Sequence, residues 1–267
     1  MAAFTPSAPP DGTIQILPVT GIPEIRPGDD LGALIGDAIA ASIGALQDGD
    51  IVTVTQKVVS KAEGKLVDLG TIQPSALASQ VAADWGKDAR QVEVVLRESA
   101  RIVRMVRGLI IAQTKHGFIC ANAGVDASNV AADTVCLLPD DVDASAEGIR
   151  EALTSRFLPA SERASPLGVI VTDSFGRPRR SGIVNVAIGV AGLAPLADYR
   201  GQYDAAGYEL RATVIAVADE LASAAELVMH KLAAVPVAVI RGFDAQALGA
   251  PGTSRDLVMA EERNLFT

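Results

Sequence analysis

Apolar residues recur along this chain in two rhythms, one of period two and one of period 3.6, with turn residues between them. Residues 14–19 alternate well enough for a strand. Pro23 and Pro27 remove backbone donors from 21–28, which reads as a loop. Asp29 or Asp30 then caps a helix whose apolar face carries Leu31, Leu34, Ile35, Ala38, Ile39 and Leu46, and residues 47–50 stop it. The β-branched run 51–55 predicts a strand that runs into residues 56–64, of which 60–64 read as a turn. Helices are predicted over 74–85 and 89–105, the second with Val92, Val95, Leu96 and Val103 on one face. Residues 109–113 and 117–121 predict a hairpin around Lys115-His116-Gly117. A strand over 135–138, a helix over 144–157 and a buried strand over 167–172 follow. After a glycine-rich apolar stretch, 182–196, come a strand at 212–218, a helix at 219–232 and a last strand at 235–241. The tail from 249 reads as a loop with one short segment. Strands and helices mix without regular βαβ alternation, so the expected class is α+β, an irregular mixed α/β fold rather than a doubly wound sheet.

Composition narrows the picture. The 267 residues fit one large domain, or two intimate subdomains within 14–245, flanked by a flexible N-terminus (1–13) and a C-terminal tail (246–267). Aromatics make up 4% of a chain that is 49% hydrophobic, so the core must be aliphatic and alanine-rich. The net charge of −9 argues against a nucleic-acid partner. An anionic substrate would then need local cations, a metal ion or backbone N–H groups. Cys120 and Cys136 make no CxxC pair and sit in apolar runs, as buried free thiols of a reducing compartment do. The N-terminus has no cationic start, and no run approaches the roughly 18 apolar residues of a membrane span. A cytoplasmic protein without a membrane partner is expected.

There is no P-loop, no GxGxxG after a strand, no HExxH and no GxSxG. With His116 and His230 as the only histidines, a histidine triad or a multi-histidine metal site is disfavoured. Two acidic loops remain. Residues 122–130, nearly all small or polar, contain Asp126 and Asn129, oxygen donors of the kind Mg²⁺ or Mn²⁺ prefers. A plain turn or helix cap accounts for the same residues. In the second, an apolar strand delivers Asp173 and Ser174, followed by Arg177, Arg179 and Arg180. A carboxylate for metal beside cations for phosphate is what a metal–nucleotide site requires; a solvated basic turn is the simpler alternative. Lys61, beyond a strand, can neutralise phosphate or simply face solvent.

Taken in order, several segments resemble one family. Leu17-Pro18-Val19-Thr20-Gly21-Ile22-Pro23-Glu24-Ile25, Gly28-Asp29-Asp30-Leu31, Asp48-Gly49-Asp50 and Val58-Val59-Ser60-Lys61-Ala62-Glu63-Gly64 are similar to the N-terminal half of coenzyme F420:γ-glutamyl ligases. Ala123-Gly124-Val125-Asp126-Ala127-Ser128-Asn129-Val130, Thr172-Asp173-Ser174-Phe175-Gly176-Arg177, Val217-Ala218-Asp219-Glu220 and Pro236-Val237-Ala238-Val239-Ile240-Arg241-Gly242 extend the likeness over roughly residues 14–245. The resemblance implies a family-specific fold, neither P-loop nor ATP-grasp, assembled as a homodimer. It implies a GTP-dependent ligase that joins L-glutamate to the lactyl-phospho side chain of the deazaflavin F420 precursor, first as an amide and then through γ-carboxylates. Mg²⁺ or Mn²⁺, and K⁺ beside them, are the ions implied. By motif, Ile22, Pro23, Glu24, Ile25, Gln56, Lys61 and Asn129 match nucleotide contacts, and Asp126, Asp173 and Ser174 match metal contacts. Met229, His230 and Lys231 fall in a further nucleotide loop. Catalytic weight rests on Asp126, Asp173 and Lys61.

Three departures stand out. Gln56 replaces a usual Ser or Thr. Lys231 stands near a family glutamate that helps hold a second metal. Actinobacterial relatives carry a fused reductase-like domain, so the chain corresponds to a free-standing form or to a ligase domain. The implied mechanism is acyl activation: GTP phosphorylates a carboxylate and the glutamate amine displaces phosphate. Metal-bound aspartates, Lys61 and the arginines would offset repulsion among three anionic partners. A metal-dependent phosphotransferase and a non-catalytic deazaflavin-binding protein are the alternatives.

Overall fold

The computed structural model describes residues 13–162 and 166–263. The segment 1–12, expected to fray, and the last four residues of the expected tail lie outside the described residues. Strand β1 (Gln15–Val19) and helix α1 (Leu31–Ser42) precede β2 (Ile51–Thr55) and a short helix, α2 (Gln56–Ala62). Then come β3 (Leu66–Asp68), helices α3 (Ala76–Trp85) and α4 (Ala89–Glu98), and strands β4 (Ser99–Val106), β5 (Leu109–Thr114), β6 (Ile119–Ala121) and β7 (Thr134–Cys136). Helix α5 (Val142–Phe157) leads to the long strands β8 (Gly168–Arg177) and β9 (Arg180–Ala191). The short β10 (Ala197–Asp198) and β11 (Val214–Ile215), helix α6 (Val217–Met229) and β12 (Val237–Arg241) follow. The class is α+β, as the mixed pattern implies. No helix among the described residues is long and apolar enough to cross a membrane.

A five-stranded sheet in the order β1-β12-β2-β8-β9 forms the base. Its central strands are apolar on both faces because both faces are covered. Val52, Val54, Val169, Val171, Val237 and Val239 point toward α1 and α5. Ile51, Ile170, Ala238 and Ile240 point toward α6, which buries Ala218, Leu221, Ala222, Ala225 and Met229 against them. Pro18, which has no N–H to give a ladder, lies on the edge strand β1. A separate apolar cluster joins α3 and α4 to the sheet β4-β5-β6 and to Val135 of β7. Close approach is needed where α5 crosses β9: a Cβ on Gly189 would lie 2.5 Å from the Val142 carbonyl oxygen.

Several expectations need correction. The helix predicted over 89–105 ends at Glu98, and Ser99–Val106 is strand β4. Arg107 and Gly108, both with positive φ (49° and 77°), close a two-residue turn that pairs β4 with β5. Such turns suit the right-handed twist of a hairpin, so tertiary pairing overrides the helical spacing of Val103. The turn expected over 60–64 begins inside helix α2, which carries Gln56 and Lys61, both buried. The glycine-rich stretch after residue 182 is mostly β9. The strand expected over 212–218 is reduced to Val214–Ile215, because α6 starts at Val217. Cys120 and Cys136 are free and buried.

One buried ion pair fastens the base of the sheet. Asp50, 1% exposed at the start of β2, accepts from Arg241 Nε (2.9 Å) and Nη2 (2.6 Å) and from the Gln47 N–H (2.8 Å). Removing one partner strands a buried charge, which typically costs about 3–5 kcal/mol. Arg241→Ala should destabilise the protein by about 3 kcal/mol, the low end because the guanidinium keeps some solvent. Thermal unfolding should show a melting temperature lower by on the order of 10 °C. An unchanged melting temperature would mean that the sheet does not depend on this pair.

Candidate active site

Strands β2 and β8 run parallel and in register, from Ile51 beside Gly168 to Thr55 beside Thr172. Ligands of such sheets bind outside the carboxyl ends of the parallel strands. Here that edge opens into a cavity of about 530 Å³. Four distant segments wall it: the 22–25 loop, the start of α2, the Asp126 loop, and the β8–β9 pair with the end of α6.

The Asp126 loop is set by backbone constraints. Asn122, Ala123 and Gly124 all have positive φ (53°, 51° and 75°). A Cβ on Gly124 would also meet the Leu138 side chain at 2.8 Å. This is why small residues crowd the loop. Asp126 is then pinned by two backbone hydrogen bonds to Cys136, at 3.0 and 2.8 Å. Its carboxylate accepts from Lys57 Nζ, from the Ser128 N–H (2.7 Å) and from Ser128 Oγ (2.9 Å). Burial pushes the Asp126 carboxyl up, but Lys57 and the Ser128 N–H outweigh it and hold it below the ordinary range.

Asp173 lies inside β8 rather than beyond its end. Its Oδ1 accepts the Ser174 N–H at 2.8 Å, and it forms no ion pair among the described residues. Burial raises its carboxyl to about 6; the Ser174 N–H opposes this, and the charge of Asp126 adds to it. Ser174 Oγ donates to Asn185 Oδ1 on β9 (2.7 Å), and Asn185 Nδ2 donates to Glu226 Oε2 on α6 (3.0 Å). Thr172 Oγ1, buried at the cavity wall, has no hydrogen-bond partner among the described residues. Burial, with Asp173 adding, pushes the Cys120 thiol to about 12, which leaves it inert as a nucleophile.

The cavity gathers Ile22, Pro23, Glu24, Ile25, Gln56, Lys61, Asp126, Asn129, Asp173, Ser174, His230 and Lys231. Lys61 pairs with Glu24. Gln56 is 3% exposed, with its amide 3.5 Å from the Leu137 carbonyl. Met229, expected in the nucleotide loop, does not line the cavity: it is buried under α6, where its sulfur accepts from Thr53 Oγ1. Asp126 and Asp173 supply hard oxygen donors, and the unpaired, upshifted carboxyl of Asp173 is the state that a nearby cation would relieve. No group of three or more His, Cys, Asp or Glu side chains converges among the described residues. Two carboxylates with a serine hydroxyl suit Mg²⁺ or Mn²⁺, which fill their remaining positions with water and phosphate.

Reading the sequence missed Lys57, Thr172, Asn185 and Glu226. Asn185 did leave a signal, as a polar residue in an otherwise apolar stretch of β9, whereas Glu226 shares its face of α6 with Asp219 and Ser223 and stands out from neither. Lys57 left none, because its contact with Asp126 spans 69 residues of chain.

An open cavity lined with carboxylates and lysines, at the carboxyl edge of a parallel pair, is the kind of site an enzyme of anionic substrates needs. Residues 20–242 match the family described as F420-0:Gamma-glutamyl ligase, and the chain belongs to that family. It is 42% identical over 254 residues to the coenzyme F420:L-glutamate ligase of Methanothermobacter thermautotrophicus, covering 95% of this chain and 98% of that one. The same name attaches to relatives in Methanopyrus kandleri (42% identical; 95% and 98% covered) and Archaeoglobus fulgidus (37%; 95% and 96%).

Asp173 gives a pH prediction for the metal-free protein. Its folded pKa of about 6 lies above the ordinary 3.8, so the folded state holds more protons between these values. Stability is therefore lost as pH rises through that window. With chelator present, Asp173→Asn should melt higher than the native protein at pH 7.5, and the gap should close toward pH 4. Calorimetry across this range checks it; a variant that melts lower at pH 7.5 would contradict the burial argument.

Proposed function

We propose that this chain joins L-glutamate to the side-chain carboxylate of the deazaflavin F420 precursor, at the expense of GTP. The observation that carries the proposal is the convergence of Asp126, Asp173, Ser174 and Lys61 from distant segments on one cavity, in a chain of the γ-glutamyl ligase family.

A carboxylate is a poor electrophile. In the proposed reaction an acceptor carboxylate oxygen bonds to the γ-phosphorus of GTP and the bond to GDP breaks. The glutamate nitrogen then bonds to the carbonyl carbon of the acyl phosphate, phosphate leaves with its electron pair, and the amine gives up a proton. A divalent cation held by Asp126, Asp173 and Ser174 would supply charge neutralisation for the triphosphate. Lys61 exchanges Glu24 for phosphate, and Lys57, already against Asp126, adds a second positive charge to the same wall. Asn185 fixes the Ser174 hydroxyl. No side chain needs to form a covalent intermediate. Positioning and charge stabilisation carry the rate, as in other phosphoryl transfers.

Mass spectrometry of the precursor incubated with protein, GTP, Mn²⁺ and L-glutamate is the direct test. Glutamyl additions that disappear without GTP are expected. GDP without a heavier product would replace the ligase with a phosphotransferase, and neither product would leave a binding protein. Asp173→Asn should lose at least about 100-fold in kcat, the scale of one charge-stabilising group; full activity at saturating Mn²⁺ would remove Asp173 from the site. Lys61→Ala should raise the KM for GTP roughly tenfold, about 1.4 kcal/mol for one lost charged contact. Unchanged GTP saturation would contradict its role.

A further inference from the structure

The turn joining β8 to β9 carries positive charge for which the fold offers no internal use. Arg177 and Arg180 face each other directly across the strand pair. Like charges placed this way destabilise a hairpin. Arg179, in the turn between them, holds a left-handed backbone at φ 58°, where Gly or Asn is the less strained choice. Both penalties fall on residues that a neutral turn would avoid.

Carboxylates outnumber cations in the chain, 32 to 23, yet none of the three arginines forms an ion pair among the described residues. Arg177 Nη2 donates to the Ser181 carbonyl at 2.9 Å, while its buried Nε has no acceptor among the described residues. Arg179 and Arg180 are exposed.

The same two strands hold the cavity residues Asp173, Ser174 and Asn185. A strand advances about 3.3 Å per residue, so Arg177 stands about 13 Å beyond Asp173 along β8. We infer that Arg177, Arg179 and Arg180 form an anion-binding tip for the acceptor's side chain. They grip its phosphodiester and the α-carboxylates of glutamyl units already attached, behind the carboxylate that reacts. This rests on the ligase reading of the cavity. Guanidinium groups match both phosphate and carboxylate with paired N–H donors. Each glutamate added brings one more α-carboxylate, so the tip favours acceptors that already carry a tail. It thereby acts on product length rather than on the bond-forming step.

The test is a fluorescence titration of two deazaflavin acceptors, one without glutamate and one with two, against the native protein and Arg179→Gln/Arg180→Gln at low and high salt. The native protein should bind the diglutamyl acceptor roughly fivefold to tenfold more tightly at low salt, and this preference should shrink at high salt. The double variant should lose the preference while melting no lower than the native protein and keeping its GTP affinity, and Arg179→Lys/Arg180→Lys should restore part of it. An equal preference in native protein and glutamine variant, or none in the native protein, overturns the inference. A preference that the variant loses, in a protein that adds no glutamate by mass spectrometry, keeps the tip and overturns the ligase reading. No binding of either acceptor overturns both.

Discussion

The parallel ladder between β2 and β8 is the constraint on which the site depends. It brings Thr55 and Thr172 to the same level, so Gln56 and Lys57 start a helix beside Asp173 and Ser174. A one-residue slip would turn every side chain of a strand to the opposite face. Here Val169 and Val171 would exchange cores with Ile170, which the apolar packing on both faces forbids. Hydrophobic burial thus sets the position of a carboxylate that contributes nothing to it. A parallel connection also requires a long crossover. This crossover contains the whole α3-α4-β4-β5-β6 unit, and its return brings Asp126 over the edge of the sheet.

Charge is distributed in the cavity with a clear asymmetry. Asp126 is held ionised by Lys57 and Ser128, whereas Asp173, half-buried, accepts a single backbone N–H among the described residues. The two carboxylates repel, and among the described residues only Asp126 forms an ion pair, while the charges of Lys231 and Lys57 act on Asp173 from a distance. One turn further along α2 than Lys57, Lys61 is tied to Glu24, a highly exposed residue on a proline-containing loop. Both lysines are parked on carboxylates at the cavity surface, where incoming anions can exchange with those partners.

The strands and helices of the base were legible because their periodicity is set by burial. Ile51–Thr55 and Val237–Arg241 are β-branched or aliphatic runs with no competing reading. The failures share one cause: local pattern yields to distant pairing. Residues 99–106 keep helical spacing but become a strand because Arg107-Gly108 folds them onto β5. Gln56–Ala62 follows a strand without a capping side chain, so nothing local announces its helix. The metal-type carboxylates and Lys61 were found through ordered motifs, and the cavity brings them together. Met229 shared a motif with His230 but not a surface, since the chain turns at the end of α6, where His230 adopts φ 51°. Lys57 and Glu226 belong to the cavity through packing alone.

Strand β8 passes through three environments within ten residues. Val169–Val171 lie sealed between two cores, Asp173 and Ser174 border the cavity, and Arg177 reaches the exposed turn. The pairing of β8 with β9 shifts register between Val171 and Thr172 and again between Gly176 and Arg177, so resistance to hydrogen exchange should fall along β8 from values near global unfolding to those of a fraying end. The Asp173 carboxylate sits between the two shifts, next to the sealed segment, so a guest can order the loose end while the oxygen atoms beside that segment stay still.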